Sequence, residues 1–166
     1  TYPLPQAQLD RFLFKLVIHY PFIEEELAII DQNLNVKSFD SYNVTQVLSA
    51  KDIIQLQQDI KTMYISDELK HYTVRIIDAT RHPERYGIEL GEYIEVGCGP
   101  RATIAIVQAA KAEAFLNERD YVTPHDIKEV AYDVLRHRIN VNYLGQAKNI
   151  ESDKIIQEIL LRVPLP

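Results

Sequence analysis

Apolar positions recur at helical spacing over most of this chain, and one nearly unbroken apolar run interrupts that rhythm close to its start. The run is "FLFKLVIHY", residues 12–20, rich in aromatic and β-branched side chains and closed by Pro21. Continuous apolarity of this kind suits a strand buried on both faces better than a half-exposed edge. A single strand cannot make a sheet, so its partners are expected outside this sequence. Ahead of it, "TYPLPQAQLDRF" holds two prolines and a stretch, Gln6 to Asp10, long enough for about one helical turn.

From Phe22 onward the pattern is mostly helical. "FIEEELAIIDQNL" places three glutamates against the positive end of the helix dipole, with Ile23, Leu27, Ile30 and Leu34 on one face. "SFDSYNVTQV" reads as a loop. Ser49 is a good N-cap for Ala50 to Lys61, with Asp52 at the third helical position. Ser66 caps the next helix, whose apolar side is Leu69, Tyr72, Ile76 and Ile77 and which fades at His82-Pro83. Residues 84–97 hold three of the five glycines and read as a loop with a local hairpin. A helix opening at Arg101 carries Ala102, Ala105, Ile106, Ala109, Ala112 and Leu116 along one face. Thr123-Pro124 caps another, with Ile127, Val130, Ala131, Val134 and Leu135 buried and "RHRI" setting cations against its C-terminal dipole. After a polar loop, "SDKIIQEILLRV" makes a last short helix. The fold class is therefore mainly α.

Composition narrows the function. A chain of 166 residues at 46% hydrophobic and 25% charged content can bury a core without disulfides. The formal charge of −6 removes the general attraction to phosphate backbones, so no nucleic-acid partner is expected. Cys98 is the only cysteine, which excludes an intrachain disulfide and a cysteine-based zinc site. No apolar run approaches the roughly 20 residues of a membrane helix, so no membrane partner is expected and the location is read as cytoplasmic. The sequence opens on Thr1 rather than methionine and is expected to be a piece of a longer protein. Phosphate-loop, dinucleotide, zincin and nucleophile-elbow motifs are absent from it.

Two arginines carry the candidate chemistry. Arg101 follows Gly-Cys-Gly-Pro at a helix start, where the dipole disfavours a cation by roughly 0.3–1 kcal/mol. A phosphate held by the free amides and the guanidinium fork would offset that clash; the alternative is an exposed arginine screened by water. Arg11 stands between the helical turn and the apolar run, where side chains point toward partners. The alternative is a weak surface contact with Asp10.

Taken together, "TYPLPQAQLDRFLFKLVIHYP…GPRATIAIVQAAKAEAFLNERDYVTPHDIKEVAYDVLRHRI" closely resembles the MoxR family of AAA+ ATPases, in the right order and nearly end to end. The resemblance implies that residues 1–20 are the last part of the α/β ATPase core, one short helix and a strand, and that residues 21–166 are the helical lid. It implies that Arg101 is the sensor 2 arginine, with Gly99 and Pro100 beside the nucleotide, and that Arg11 of "LDRF" is an arginine finger acting across a subunit boundary. This chain reads Gly-Cys-Gly-Pro-Arg where the family more often has Gly-Ala-Ser-Pro-Arg. ATP and magnesium would be the cofactors of the full-length protein. Its partners would be other subunits of a ring, six in number, and proteins with von Willebrand factor A domains that it remodels or matures. The 166 residues alone, lacking the phosphate loop and acidic magnesium ligands, are expected to be inactive. The competing reading is a helical protein–protein interaction module with no nucleotide role.

Overall fold

The computed structural model of the chain describes Tyr2, residues 4–34 and residues 39–166. Among them are eight α-helices and one two-stranded sheet, so the fold is mainly α. The elements form two compact units, residues 16–57 and residues 1–15 together with 58–166. The first holds α2 (Ile23–Asn33), a 3₁₀ turn at Phe39–Tyr42 and the start of α3 (Ala50–Thr62). Ser49 and Asp52 form the expected reciprocal cap of α3: the Asp52 amide donates to Ser49 Oγ at 3.2 Å, and the Ser49 amide to Asp52 Oδ2 at 2.7 Å. The loop read from Ser38 begins outside the described residues.

The second unit contains α1 (Gln6–Leu9), α4 (Asp67–Arg81), β1 (Ile94–Val96), α5 (Pro100–Leu116), α6 (Pro124–Leu135), β2 (Asn140–Val141), α7 (Tyr143–Ala147) and α8 (Ser152–Arg162). Its core is built by α4, α5, α6 and α8. Tyr72 and Ile76 from α4, Ile106 from α5, Ile127 and Leu135 from α6 and Ile155 and Ile159 from α8 are fully enclosed. Each such aliphatic side chain contributes about 1.5–3 kcal/mol by leaving water. Every residue of the stripe expected on α6 is buried. On α5 the buried face is Ala102, Ala105, Ile106, Ala109, Ala110 and Ala114, whereas Leu116 is exposed. A line of i+4 steps drifts around a 3.6-residue helix, so the neighbour crosses obliquely and leaves the end of the i+3 line behind. The small residues allow the close approach of α5 and α6, the most extensive helix pair in the unit.

Three expectations change. Residues 12–20 form no strand; among the described residues their one long-range backbone bond runs from the Lys15 amide to the Asp133 carbonyl, 2.9 Å. A strand exists through its partners, and none is supplied among the described residues. The hairpin expected inside residues 84–97 is not local: β1 pairs antiparallel with β2, Ile94 opposite Val141. The intervening loop instead coils into 3₁₀ turns, pinned where the amides of Glu89 and Leu90 donate to the Glu158 carboxylate at 2.8 and 2.9 Å. The polar loop after residue 141 contains α7, capped by Asn142, whose side chain accepts from the Gly145 amide at 3.0 Å.

Candidate functional site: an arginine-lined groove

The start of α5 is set by the end of α4. Gly97 passes so close to α4 that a Cβ there would lie 2.4 Å from the Thr80 carbonyl oxygen. The next residue is held at both ends. The Cys98 amide donates to Thr80 Oγ1 at 2.8 Å, and its carbonyl accepts from Arg81 Nε at 2.6 Å. Burial pushes the Cys98 thiol up to about 12, so the sulfur stays a thiol and acts as packing. Gly99 is the N-cap and Pro100 the first helical residue, and no side chain caps this end. Arg101 therefore leaves a fixed backbone, with its guanidinium exposed.

That guanidinium meets Asp10, at the end of α1: Arg101 Nη1 lies 3.2 Å from Asp10 Oδ2. Arg138 reaches the other carboxylate oxygen, Nε to Oδ1, at the same distance. A groove of about 360 Å³ results, lined by Asp10, Arg11, Leu13, Arg101, Ile104, Ala105, Gln108 and Arg138. Three arginines against one aspartate leave it a formal surplus of two positive charges in a chain whose net charge is −6. Arg11 is exposed, and its side chain makes no hydrogen bond or ion pair among the described residues. The Asp10–Arg11 contact weighed above is absent, because Asp10 is engaged by Arg101 and Arg138 instead.

Of the four residues singled out from sequence, the groove brings together Arg11 and Arg101. Gly99 and Pro100 do not line it; Pro100 faces a separate depression toward α4, beside Arg81 and Thr103. Asp10 and Arg138 are additions. Arg138 was legible only as one cation of "RHRI", and helix-end cations are ordinarily exposed; this one is 4% exposed. Chemically the groove suits an anion with several oxygens, since the exposed Arg101 already pairs with a carboxylate there and the exposed Arg11 lines the same groove. No group of three acidic, histidine or cysteine side chains converges among the described residues.

These features describe a helical domain in which an arginine at the first turn of a helix faces an arginine-lined groove. The AAA lid domain matches residues 90–159, spanning β1 to α8. Over its whole length the chain is homologous to the MoxR proteins. It is 39% identical over 167 aligned residues to the chaperone MoxR1 of Mycobacterium tuberculosis, covering all of this chain and 43% of that one. It is 38% identical to YeaC of Bacillus subtilis, covering all of this chain and 49% of that protein. The crystal structure of a candidate ATPase from Cytophaga hutchinsonii superposes with a TM-score of 0.91 at 42% identity, over 99% of this chain and 50% of that one. The chain thus spans about half the length of the relatives it matches.

Proposed function

We propose that this chain serves as the lid portion of a MoxR-like AAA+ ATPase, in which Arg11 and Arg101 engage one and the same triphosphate. The observation that carries the reading is the shared groove, where the Asp10 carboxylate sits between the Arg101 and Arg138 guanidinium groups much as a phosphate oxygen would. Arg101 would act as sensor 2, its guanidinium exchanging the Asp10 carboxylate for phosphate oxygens. Arg11, with no partner among the described residues, would reach the transferred phosphoryl group as an arginine finger; stabilising charge there is worth factors of about 10³–10⁵ in rate. Because both arginines belong to one groove, the nucleotide they address would be held by another subunit's phosphate loop, which requires a ring.

Magnesium in the full-length protein would be held by acidic residues from elsewhere and would neutralise phosphate charge; this chain's part would be to bind and orient phosphate and to stabilise its charge. Hydrolysis would drive chaperone-like remodelling, with von Willebrand factor A domain proteins the client class the family resemblance implies. The cytoplasmic ATP pool is where such a cycle would run. In the full-length protein, Arg11→Ala is expected to lower ATP turnover by at least about a hundredfold with nucleotide binding intact, and Arg101→Ala to weaken nucleotide binding as well. Steady-state hydrolysis and equilibrium nucleotide titration read the two effects apart. Unchanged turnover in Arg11→Ala would remove the finger from the mechanism.

A further inference from the structure

We propose that Arg138 is a positioning residue that locks the turn carrying Arg11 onto the end of α6, so that Arg11 and Arg101 move as one body. In its catalytic consequence this rests on the reading of both arginines as phosphate ligands.

A guanidinium presents five N–H donors in a fixed fork, and Arg138 aims most of them at one short segment. Its Nη2 donates to the Asp10 and Phe12 carbonyls at 3.1 and 2.6 Å, and its Nη1 to the Leu13 carbonyl at 3.2 Å and to the Val134 carbonyl of α6. Its Nε meets the Asp10 carboxylate. The carbonyls of the residues on both sides of Arg11 are therefore held, while the Arg11 side chain stays uncommitted. The two residues before Arg138 extend the seam. His137 Nε2 bonds the Phe12 carbonyl at 3.0 Å, and the His137 carbonyl accepts from Gln6 Nε2 at 3.0 Å. Arg136 Nη1 donates to the Lys15 carbonyl at 2.6 Å and is itself fixed by Asp133 and Asp153.

Ending α6 does not require this. A helix C-terminus is satisfied by a glycine or by an exposed cation, whereas a buried guanidinium carries a desolvation penalty that only full pairing offsets. What the burial secures is the backbone of the turn that bears Arg11. A transition-state ligand displaced by about 1 Å loses on the order of a hundredfold in rate, so the turn bearing such a ligand must be fixed. Asp10 completes the device: one oxygen lies on Arg138 and the other on Arg101, which ties the two candidate ligands to the same lid helices.

The test is a double-mutant cycle on ATP turnover in the full-length protein, with amide hydrogen exchange measured on the same samples. Arg138→Gln should lower kcat by at least about tenfold with little change in KM, and should add less than about twofold in an Arg11→Ala background, because coupled residues are non-additive. The amides of Phe12 and Lys15 should exchange faster, with those inside α5 unchanged. If Arg138→Gln does not fold, Arg138→Lys replaces it: a lysine keeps the charge but cannot span four carbonyls, and the same losses are expected. Equal losses in both backgrounds, or unaltered exchange at Phe12 and Lys15, would overturn the proposal. Should Arg11→Ala alone leave turnover unchanged, the catalytic reading fails, and the exchange measurement by itself decides whether Arg138 holds the turn.

Discussion

His137 lies in the same seam with one ring nitrogen satisfied and the other not. Its Nδ1 is buried without a hydrogen-bond partner, while Nε2 faces the Phe12 carbonyl. The neutral ring with its proton on Nε2 fits this arrangement, since that nitrogen must donate. Protonation would place a second N–H in a site with no acceptor, close to Arg138 and Lys15. Burial pushes the His137 pKa below its ordinary value; the bond to the Phe12 carbonyl opposes it, while Arg138 and Lys15 add smaller downward effects and Asp10 a smaller upward one. The unfolded chain therefore takes up this proton at higher pH than the folded one. Stability is complete above about pH 6.5, the ordinary histidine value, and declines as the pH falls through it toward the folded pKa. Urea unfolding at pH 7.5 and 5.5 should show wild type losing more stability than His137→Gln, whose amide can still donate to Phe12. Equal losses would mean that the ring does not govern the seam. None of this was readable from "RHRI", because a cation satisfied by carbonyls looks in sequence like one satisfied by water.

At the scale of elements, the placement of α5 depends on a single close approach. Gly97 is the residue without which β1 could not pass α4, and its neighbour Cys98 is hydrogen-bonded at both ends to α4. Gly97→Ala drives a methyl group into the Thr80 carbonyl, which as backbone in a packed helix cannot step aside. A destabilisation of roughly 1–3 kcal/mol is expected, with nucleotide affinity falling in the same variant because Arg101 moves with the displaced segment. Thermal melts and nucleotide titration check the pair; a variant as stable as wild type would show that the approach is relaxed in solution. The helices themselves were legible in their caps and stripes. Thr123 and Asp126 form the capping box expected before α6, with the Thr123 amide donating to the Asp126 carboxylate at 2.7 Å. What the pattern hid was non-local. The fully buried Asp126 carboxylate is also gripped by Arg119, Nη1 to Oδ2 at 2.7 Å. β1 pairs with a strand some 45 residues downstream, beyond the reach of a local turn signal (Val96 opposite Asn140). The apolar run at 12–20, expected to need strand partners, forms no strand here and its side chains are exposed.

Across the whole molecule the two compact units differ in what holds them. Every buried residue of the core lies between Met63 and Val163, whereas no described residue from 16 to 57 is buried, and Leu27, Ile30 and Leu34 of the α2 region are exposed. Cooperative resistance to opening follows buried apolar contacts, so residues 16–57 should be the first to open. Residues 4–15 are a different case, also poor in buried surface but stitched to α6 by Gln6, Asp10 and the carbonyls that Arg136, His137 and Arg138 engage. Thermolysin, which cuts beside exposed apolar side chains, should make its first cuts in the 166-residue chain between residues 16 and 57. The resulting N-terminal piece, though no longer covalently joined, should stay associated with the 58–166 body and be seen as a complex by native mass spectrometry. In Arg138→Gln the same cuts should release it. First cuts within residues 63–163, or release of the piece from wild type, would mean that the seam does not hold the turn without the chain's help. Retention in one protein and loss in the other would place the turn bearing Arg11 mechanically with the lid helices, as a pair of arginines acting on one anion requires.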